Sequence, residues 1–295
     1  MKLPLDLVST LLAVIDEGSF EGAARRLHVT PSAVSQRVRT LEDQLGGVLV
    51  VRSRPVRPTA AGGVVLRLAR QMALLEHDAL AELGRDDAAT ARISLAVNAD
   101  SLATWLLEPL ARLSRQHPVV FDLHRDDQDF TAALLADGTA LAGVTSQADP
   151  IAGCVATALG TMVYEAVATP SFVARWLGRG ATADELEAAP LVDFDRRDDL
   201  QTRWLVAVGA DPGAPPRHFV PASHDFAAAV RAGLGWGMLP LLQSADALAD
   251  GELVHIGGPG IPVALYWQQW NLHSPLLGAV AAEVIAAAGT ALSRR

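Results

Sequence analysis

The sequence predicts a protein of two parts: an N-terminal all-α winged helix-turn-helix head with a long linker helix, and a C-terminal α/β domain. Three observations predict it. Short helical patterns broken by tight turns fill the first 45 residues, one unbroken helical pattern runs from Ala60 to about Leu83, and strand-like and helix-like segments alternate from Arg92 onward. The chain has 295 residues, of which 50% are hydrophobic, so it has enough apolar material for two cores and is not a disordered chain.

Composition also bears on the predicted cellular location of the protein. No run of about 18 apolar residues is free of charge, so we expect no membrane-spanning helix and no membrane partner. Asp6, Asp16 and Glu17 interrupt the apolar N-terminus, which argues against a signal peptide. Cys154 is the only cysteine, so the chain offers neither an internal disulfide nor a thiolate cluster for zinc. These features predict a cytoplasmic protein without a bound metal.

The charge is divided unevenly along the chain. The net charge is −9, but residues 1–70 carry +4 and residues 71–295 carry −13. A basic module joined to an acidic one is the asymmetry expected when only one part of a protein meets phosphate. The acidic part is also compatible with a solvated surface that keeps the protein soluble.

Helix signals in the head give a helix-turn-helix order. Leu7 to Ile15 have helical spacing and Gly18 ends the run. Ser19 is a predicted N-cap for a second helix, Phe20 to Leu27. Thr30 caps a third helix, in which Pro31 takes the first position, where its missing N–H costs nothing. Two short helices joined by a tight turn form this motif.

The third helix has two different faces. Its apolar residues recur at i, i+4, i+7 and i+11 and predict a buried stripe: Val34, Val38, Leu41 and Leu45. Its polar residues occupy the opposite side and are predicted to contact bases: Ser32, Ser35, Gln36 and Arg39. A solvated surface helix is the alternative. Small residues near the N-terminus favour base contact, because a helix in the major groove leads with that end.

A basic ribbon follows the third helix. Val48–Val51 is strand-like, and Arg52, Arg54 and Arg57 follow it in a proline-rich stretch. These arginines have no evident apolar face to cover, so we expect them to contact DNA phosphates from a wing. Thr30 and Arg37 complete the predicted phosphate-contacting set.

The linker helix carries a coiled-coil spacing. Apolar residues step by three and four along it: Val65, Leu68, Met72, Leu75 and Ala79. We predict that Val65, Leu68, Met72 and Leu75 pair two subunits and set the distance between two heads. The alternative is a helix buried within its own chain. Residues 84–88 are the predicted hinge after it.

In the acidic half of the chain, from Arg92 onward, the alternation of segments predicts an open α/β sheet. Its predicted strands are Ile93–Val97, Val119–Leu123, Leu141–Val144, Met162–Ala168, Leu191–Phe194, His218–Val220 and Val263–Trp267. Its predicted helices lie near 102–116, 129–137, 171–177, 198–207, 225–234 and 275–293.

The head resembles the DNA-binding domain of LysR-type transcriptional regulators. The matching residues are Phe20-x-x-Ala23-Ala24-x-x-Leu27, Thr30-Pro31-Ser32-Ala33-Val34-Ser35, Leu41-Glu42-x-x-Leu45-Gly46, Arg52 and Thr59-x-Ala61-Gly62. The second half resembles the ArgP/LysG (IciA) subgroup, most closely over Leu95–Leu106. The resemblance covers essentially the whole chain.

The resemblance implies a domain plan and partners. The plan is a winged helix-turn-helix domain over 1–58, a dimerisation linker over 59–90, and an effector-binding domain over 91–295, made of two Rossmann-like subdomains, 91–161 with 264–295 and 162–263, as in periplasmic binding proteins. The implied partners are double-stranded DNA, RNA polymerase and further copies of the chain, as a homodimer or a dimer of dimers.

The resemblance also implies a small-molecule effector, lysine or arginine. In open α/β sheets a ligand lies beyond the carboxyl ends of strands, near helix N-termini. Asn98, Asp100 and Ser101 occupy such a place, where backbone N–H groups and a hydroxyl suit a ligand carboxylate. Ordinary helix capping explains the same residues. The remaining residues predicted to bind effector are Trp105, Asp126, Asp127, Asp195, Ser223 and Asp225.

No catalytic or cofactor site is expected. The eight histidines show no metal spacing, and no serine lies in a G-x-S-x-G elbow. Gly233–Met238 lacks the spacing of a dinucleotide loop and follows a helical stretch, which excludes that reading. An enzyme is therefore not predicted, and a solute-binding protein conflicts with the helix-turn-helix.

The sequence thus predicts a DNA-binding transcriptional regulator that responds to lysine or arginine and controls a gene for basic amino-acid export. The alternative is an effector-independent DNA-binding protein that acts on replication initiation or DNA architecture. The operator, the choice between activator and repressor, and the choice between lysine and arginine stay open at this point.

Overall fold

A computed structural model describes residues 3–84, 90–126 and 131–293. The head contains three helices and a two-stranded ribbon, and the linker helix follows: α1 Leu5–Asp16, α2 Phe20–Arg26, α3 Pro31–Leu45, β1 Val50–Val51, β2 Arg57–Pro58 and α4 Ala60–Glu82. This order confirms the predicted winged helix-turn-helix with a long linker helix. The strand run predicted over Val48–Val51 is shorter in the structure, because only Val50 and Val51 pair with the second strand.

The helix boundaries of the head follow from local capping chemistry. The Ser19 hydroxyl accepts a hydrogen bond from the Gly22 N–H at 3.0 Å, and the Thr30 hydroxyl accepts one from the Ala33 N–H at 3.2 Å. Gly46 ends α3 in the left-handed conformation, with φ of 71°. Each of these bonds satisfies a backbone group that the helix itself leaves unpaired.

The α/β half continues with helices and strands in alternation. Its first elements are β3 Ala91–Asn98, α5 Ala99–Thr104, α6 Leu107–Gln116, β4 Val119–Asp126, α7 Thr131–Ala136, β5 Ala142–Thr145 and β6 Cys154–Ala168. The later ones are α8 Pro170–Trp176, α9 Ala183–Ala188, β7 Leu191–Asp193, α10 Leu200–Ala207, β8 Arg217–Phe219, α11 Ser223–Arg231, β9 Gly237–Pro240, α12 Leu241–Ala249, β10 Val254–His255, β11 Ile261–Trp270 and α13 Pro275–Ala291.

The chain divides into two compact units. Unit 1 comprises Met1–Val97, Leu110–Ala156 and Trp267–Glu283, and unit 2 comprises Asn98–Pro109, Thr157–Tyr266 and Val284–Arg295. In unit 1, β3 and β5 pair in parallel, with Leu95 opposite Ala142. In unit 2, β6 pairs antiparallel with β9 and β10, and β7 pairs parallel with β8. Parallel pairs joined through helices confirm the predicted α/β class.

One predicted helix is two helices in the structure. The pattern over 102–116 predicted a single element, but α5 ends at Thr104 and α6 begins at Leu107. Pro109 accounts for the break, because proline has no N–H to donate and fits only in the first turn of a helix. The short elements α9, α12 and β10 were not predicted. Within the described residues, no helix is long and apolar enough to cross a membrane.

Candidate functional site

The polar side of α3 is presented to solvent. Ser32, Gln36 and Arg39 are exposed and Ser35 is half-buried. On the apolar side, Val34, Val38 and Leu41 are all 0% exposed in the head core, and Leu45 is partly buried against it. The predicted division of the helix into two faces is therefore present. Contact between these four side chains and bases stays a prediction.

Hydrogen bonds hold the segment between α3 and β1 to α3 and to the start of α4. The Glu42 carboxylate near its end accepts from the Leu49 N–H at 2.8 Å, and the Thr59 hydroxyl donates to the Val48 carbonyl at 2.7 Å. A Cβ on Gly62 would lie 1.9 Å from the Leu49 carbonyl oxygen, so only glycine permits this approach of α4. Sequence reasoning treated Glu42 and Gly62 as motif residues, whereas the structure gives each a mechanical role.

The arginines predicted to contact phosphate differ in their surroundings. Arg54 and Arg57 are exposed on the ribbon. Arg52 is also exposed, but its guanidinium lies 5.2 Å from the centre of the Phe20 ring. The expectation that no ribbon arginine covers an apolar group is therefore wrong for Arg52. Arg37 is half-buried and reaches the Thr10 hydroxyl of α1 at 3.5 Å.

The exposed stripe of α4 keeps three of the four predicted seam residues and has Val64 in place of Val65. Val65 is only 7% exposed and belongs to the head core, so its prediction as a dimerisation residue is wrong. Val64, Leu68 and Leu75 are exposed at 57%, 37% and 41%, and Met72 is half-buried. An apolar stripe that is open to solvent along a helix favours a partner.

A hydrogen-bonded network surrounds Asp100 within unit 2. One carboxylate oxygen accepts from the Tyr164 hydroxyl at 2.6 Å, and the other accepts from the Ser223 hydroxyl, also at 2.6 Å. The Gln243 amide donates to the Ser223 oxygen at 2.9 Å. The structure thus brings the predicted residues Asp100 and Ser223 together. It adds Tyr164 and Gln243, which no local sequence signal identified.

Buried polar atoms without partners lie in the same segment. Asn98 is 1% exposed and Ser101 is 0% exposed, and among the described residues neither side chain finds a hydrogen-bond partner. The Trp105 indole N–H is in the same situation. Buried polar groups in folded proteins are almost always paired, so atoms of this kind point to a polar ligand. This segment therefore suits an amino acid, which carries both donors and acceptors.

The acidic residues predicted to meet a cationic side chain have different surroundings. Asp195 accepts from the backbone N–H groups of Arg197 and Asp198, and these bonds and the Arg197 side chain lower its pKa against the opposing effect of burial. Contact between Asp195 and an effector stays a prediction. Asp225 is exposed in the first turn of α11. Asp127 and the side chain of Asp126 lie outside the described part of the structure.

Asp198 is a residue that sequence reasoning missed. Burial is the largest effect on its carboxyl group and raises the pKa to about 6. The carboxylates of Asp193 and Asp100 raise it as well, whereas hydrogen bonds from two backbone N–H groups lower it. Asp193 itself is buried and paired with Arg217 at 2.5 Å, and burial raises its pKa too.

We expect Asp198 to make the stability of the protein depend on pH. Its folded pKa of about 6 lies above the value of about 3.9 for an unfolded aspartate. Its stabilising contribution is therefore complete below about pH 4 and is lost as the pH rises through 6. Between about pH 4 and 7, the unaltered protein should lose about 2–3 kcal/mol of unfolding free energy that Asp198→Asn does not lose.

Urea denaturation at several pH values measures this difference. Asp199→Asn is the matched control, because Asp199 is the next residue and its side chain is 66% exposed. The control should follow the unaltered protein. Equal pH profiles for Asp198→Asn and the unaltered protein would contradict the assignment.

Comparisons with known proteins agree with this architecture. The model of the LysR-family bacterial regulatory helix-turn-helix protein matches residues 5–63, and the model of the LysR substrate binding domain matches residues 86–289. The HTH-type transcriptional regulator LysG of Mycobacterium tuberculosis is 46% identical over 282 residues, which cover 95% of this chain and 92% of that protein.

Two solved structures are similar over nearly the whole chain. The crystal structure of ArgP from Mycobacterium tuberculosis has a TM-score of 0.85 at 45% identity and covers 100% of both chains. Full-length LysG from Corynebacterium glutamicum with bound effector Arg has a TM-score of 0.75 at 38% identity and covers 99% of this chain and 100% of that one.

The head presents one polar helix face, and the same chain carries a substrate-binding α/β domain. This combination places the chain in the class of bacterial regulatory helix-turn-helix proteins. The two model matches and the relatives specify it further. The chain belongs to the LysR family, and its similarity to proteins named LysG and ArgP confirms the predicted subgroup.

Proposed function

We propose that the protein is a DNA-binding transcriptional regulator whose output is set by a basic amino acid. The single observation that carries the DNA-binding part is the geometry of α3, where Ser32, Gln36 and Arg39 face solvent above a fully buried apolar stripe. Side chains of this kind hydrogen-bond base edges in the major groove, with arginine suited to guanine and glutamine to adenine.

The proposed active form is a homodimer with two heads. The stripe formed by Val64, Leu68, Met72 and Leu75 on α4 supplies the pairing surface. A second copy of the same stripe is its natural partner, since an isologous contact buries the surface on both subunits. Two heads then contact two half-sites of double-stranded DNA. A further pairing of dimers and a contact with RNA polymerase belong to the same proposal.

The proposed effector is arginine or lysine, bound in the segment that contains Asn98, Asp100 and Ser101. The unpartnered polar atoms of Asn98 and Ser101 offer hydrogen bonds to a carboxylate. The Asp100 carboxylate, held by Tyr164 and Ser223, attracts an ammonium group. A relative with bound effector Arg supports this class of ligand. A gene for basic amino-acid export is the proposed target.

Calorimetric titration of the full-length protein with each of the twenty amino acids tests the effector. Saturable heat with arginine or lysine, together with no heat from neutral amino acids, is the expected result. The same protein should change its affinity for its operator, or its DNase footprint on it, when that amino acid is added. DNA binding that ignores both basic amino acids would favour the effector-independent alternative in replication control or DNA architecture.

Arg54 supplies a prediction about phosphate contact. Arg54→Ala should weaken binding to every DNA sequence alike and reduce the slope of log affinity against log salt by about one. The reason is that each neutralised phosphate releases about one counterion. Arg115→Ala is the control, because Arg115 is an exposed arginine on α6 outside the head. An unchanged salt slope for Arg54→Ala would place this side chain away from the DNA backbone.

A further inference from the structure

The linker helix is hydrogen-bonded to a turn of the substrate-binding domain within unit 1. This turn, Ala136–Gly138, closes α7. The Arg67 guanidinium donates to the Ala136 carbonyl at 2.9 Å, and the Arg70 guanidinium donates to the Gly138 carbonyl at 2.7 Å. Two consecutive turns of α4 therefore meet the same short segment.

Backbone groups approach closely at this contact. A Cβ on Gly63 would lie 2.8 Å from the Asp137 carbonyl oxygen, and a Cβ on Gly138 would lie 2.7 Å from the Arg67 Cα. Gly138 also has a φ of +79°, which favours glycine. The sequence thus provides glycine on both sides of the contact, and larger residues would separate the two elements.

Arg70 joins this turn to the head. Its second terminal nitrogen lies 3.0 Å from a carboxylate oxygen of Asp16 in α1. Both side chains are buried, with exposures of 7% for Arg70 and 4% for Asp16. Asp16, Arg70 and Gly138 thus form a continuous polar bridge, called here the head bridge. It runs from the head through α4 to the substrate-binding domain.

The contact between the head and the turn Ala136–Gly138 includes a few specific hydrogen bonds, which form the head bridge. A cavity of about 330 Å³ borders it and is lined by Asp16, Arg26, Arg70, His77 and others, so close packing is incomplete beside the bridge. A buried guanidinium that loses an acceptor is strongly unfavourable. Movement of the head away from the turn would remove an acceptor from Arg70, and the bridge therefore opposes that movement.

We infer that the head bridge sets the orientation of the DNA-binding head on its own substrate-binding domain. The bridge favours one arrangement over others by differential interaction, which is the requirement for any conformational control. This inference goes beyond the proposed function, because the orientation exists without DNA or effector. A displacement of the turn Ala136–Gly138 is then transmitted to α1 through the buried side chain of Arg70, beside the packing of α4 on the head core.

Distances between two spin labels in the full-length protein test the inference. The labels are attached at Glu21→Cys in α2 and Gln116→Cys in α6, which are both exposed positions, in a Cys154→Ser background. Because the proposed form is a homodimer, labelled chains are mixed with an excess of unlabelled chains, so that only the distance within one chain is measured. We expect a single narrow distribution of that distance. Arg70→Met retains the apolar stem of the side chain but removes the bridge. In this variant the fraction of molecules with a second distance should grow by at least about tenfold, which is within the usual range of conformational coupling.

Matched variants separate the bridge from general destabilisation. Arg26→Met removes another partner of Asp16, at 3.2 Å, but Arg26 bonds to no described residue of the domain, so its distribution should stay narrow. Gly138→Ala disturbs the bridge from the domain side and should broaden the distribution. Gly257→Ala is the control for it, because it also places alanine at a positive φ, here +92°, but with nothing within 4 Å of the new Cβ. This control should not broaden the distribution.

Identical narrow distributions for Arg70→Met and Gly138→Ala would overturn the inference. Circular dichroism melts establish that the labelled variants are folded. If Arg70→Met does not fold, Gly138→Ala alone decides between the two outcomes. No measurement uses DNA or an amino acid, so failure of the bridge and failure of the proposed function are distinguishable.

Discussion

Replacing Gln36 or Arg39 with alanine is expected to weaken operator binding by about 1–3 kcal/mol each, or roughly 5- to 150-fold. Both side chains are exposed on the face of α3 that the head core leaves free. A bidentate contact to a base edge distinguishes the right base from the wrong one, so its loss also relaxes sequence preference at one position. Non-specific binding through phosphates should persist.

Competition with randomised operators measures both effects. Gln44→Ala is the control for Gln36→Ala, because Gln44 is exposed on the same helix, two turns nearer its C-terminus. A groove-bound recognition helix contacts bases with its N-terminal part, so the control should retain affinity and preference. If Gln36→Ala and Arg39→Ala keep the sequence preference of the unaltered protein, these residues do not contact bases.

The head was predictable because its signals are local. Ser19 and Thr30 each cap a helix at the predicted position, and each bond spans only three residues. The apolar stripe Val34, Val38 and Leu41 lies on the core side because helical periodicity alone separates it from the polar side. Local chemistry and periodicity therefore fix both the elements and their faces here.

The linker stripe shows where periodicity is insufficient. Val64 and Val65 are adjacent and both apolar, so the spacing of three and four admits either residue in the seam. The head core takes Val65, and Val64 is left exposed at 57%. Packing of α4 against α1 and the wing decides which of the two valines is buried. That packing joins segments that are far apart in sequence.

The ligand site was less predictable because its residues come from distant segments. Tyr164 lies 64 residues from its partner Asp100, and Gln243 lies 20 residues from Ser223. Asp195 and Asp198 are the same residue type, three positions apart, and the sequence pattern does not distinguish them. Burial raises the pKa of both carboxyl groups. Hydrogen bonds from Arg197 and the Asp198 backbone outweigh that effect at Asp195, so its pKa is lowered, whereas burial dominates at Asp198 and its pKa is raised. Loop geometry of this kind has no counterpart in the sequence pattern.

The second large effect is expected at Asp100. Asp100→Asn keeps the size of the side chain but removes the negative charge, and it should weaken arginine binding by about 1.5–3 kcal/mol, or roughly 10- to 150-fold. The carboxylate uses both oxygens as acceptors for Tyr164 and Ser223. An amide has only one oxygen, so one of these hydroxyl groups also loses its acceptor.

Calorimetric titration with arginine at pH 7.5 or above, where Asp198, with its pKa of about 6, is ionised, measures the loss. Asp246→Asn is the matched control, since Asp246 is an exposed aspartate on α12, three residues after Gln243, and is not among the residues predicted to bind the effector. The control should bind arginine like the unaltered protein. Tyr164→Phe removes one hydroxyl group and retains the charge, so it should cost less than Asp100→Asn. Equal arginine affinities for Asp100→Asn and Asp246→Asn would remove Asp100 from the effector site, because a charge in contact with the ligand cannot be neutralised without loss.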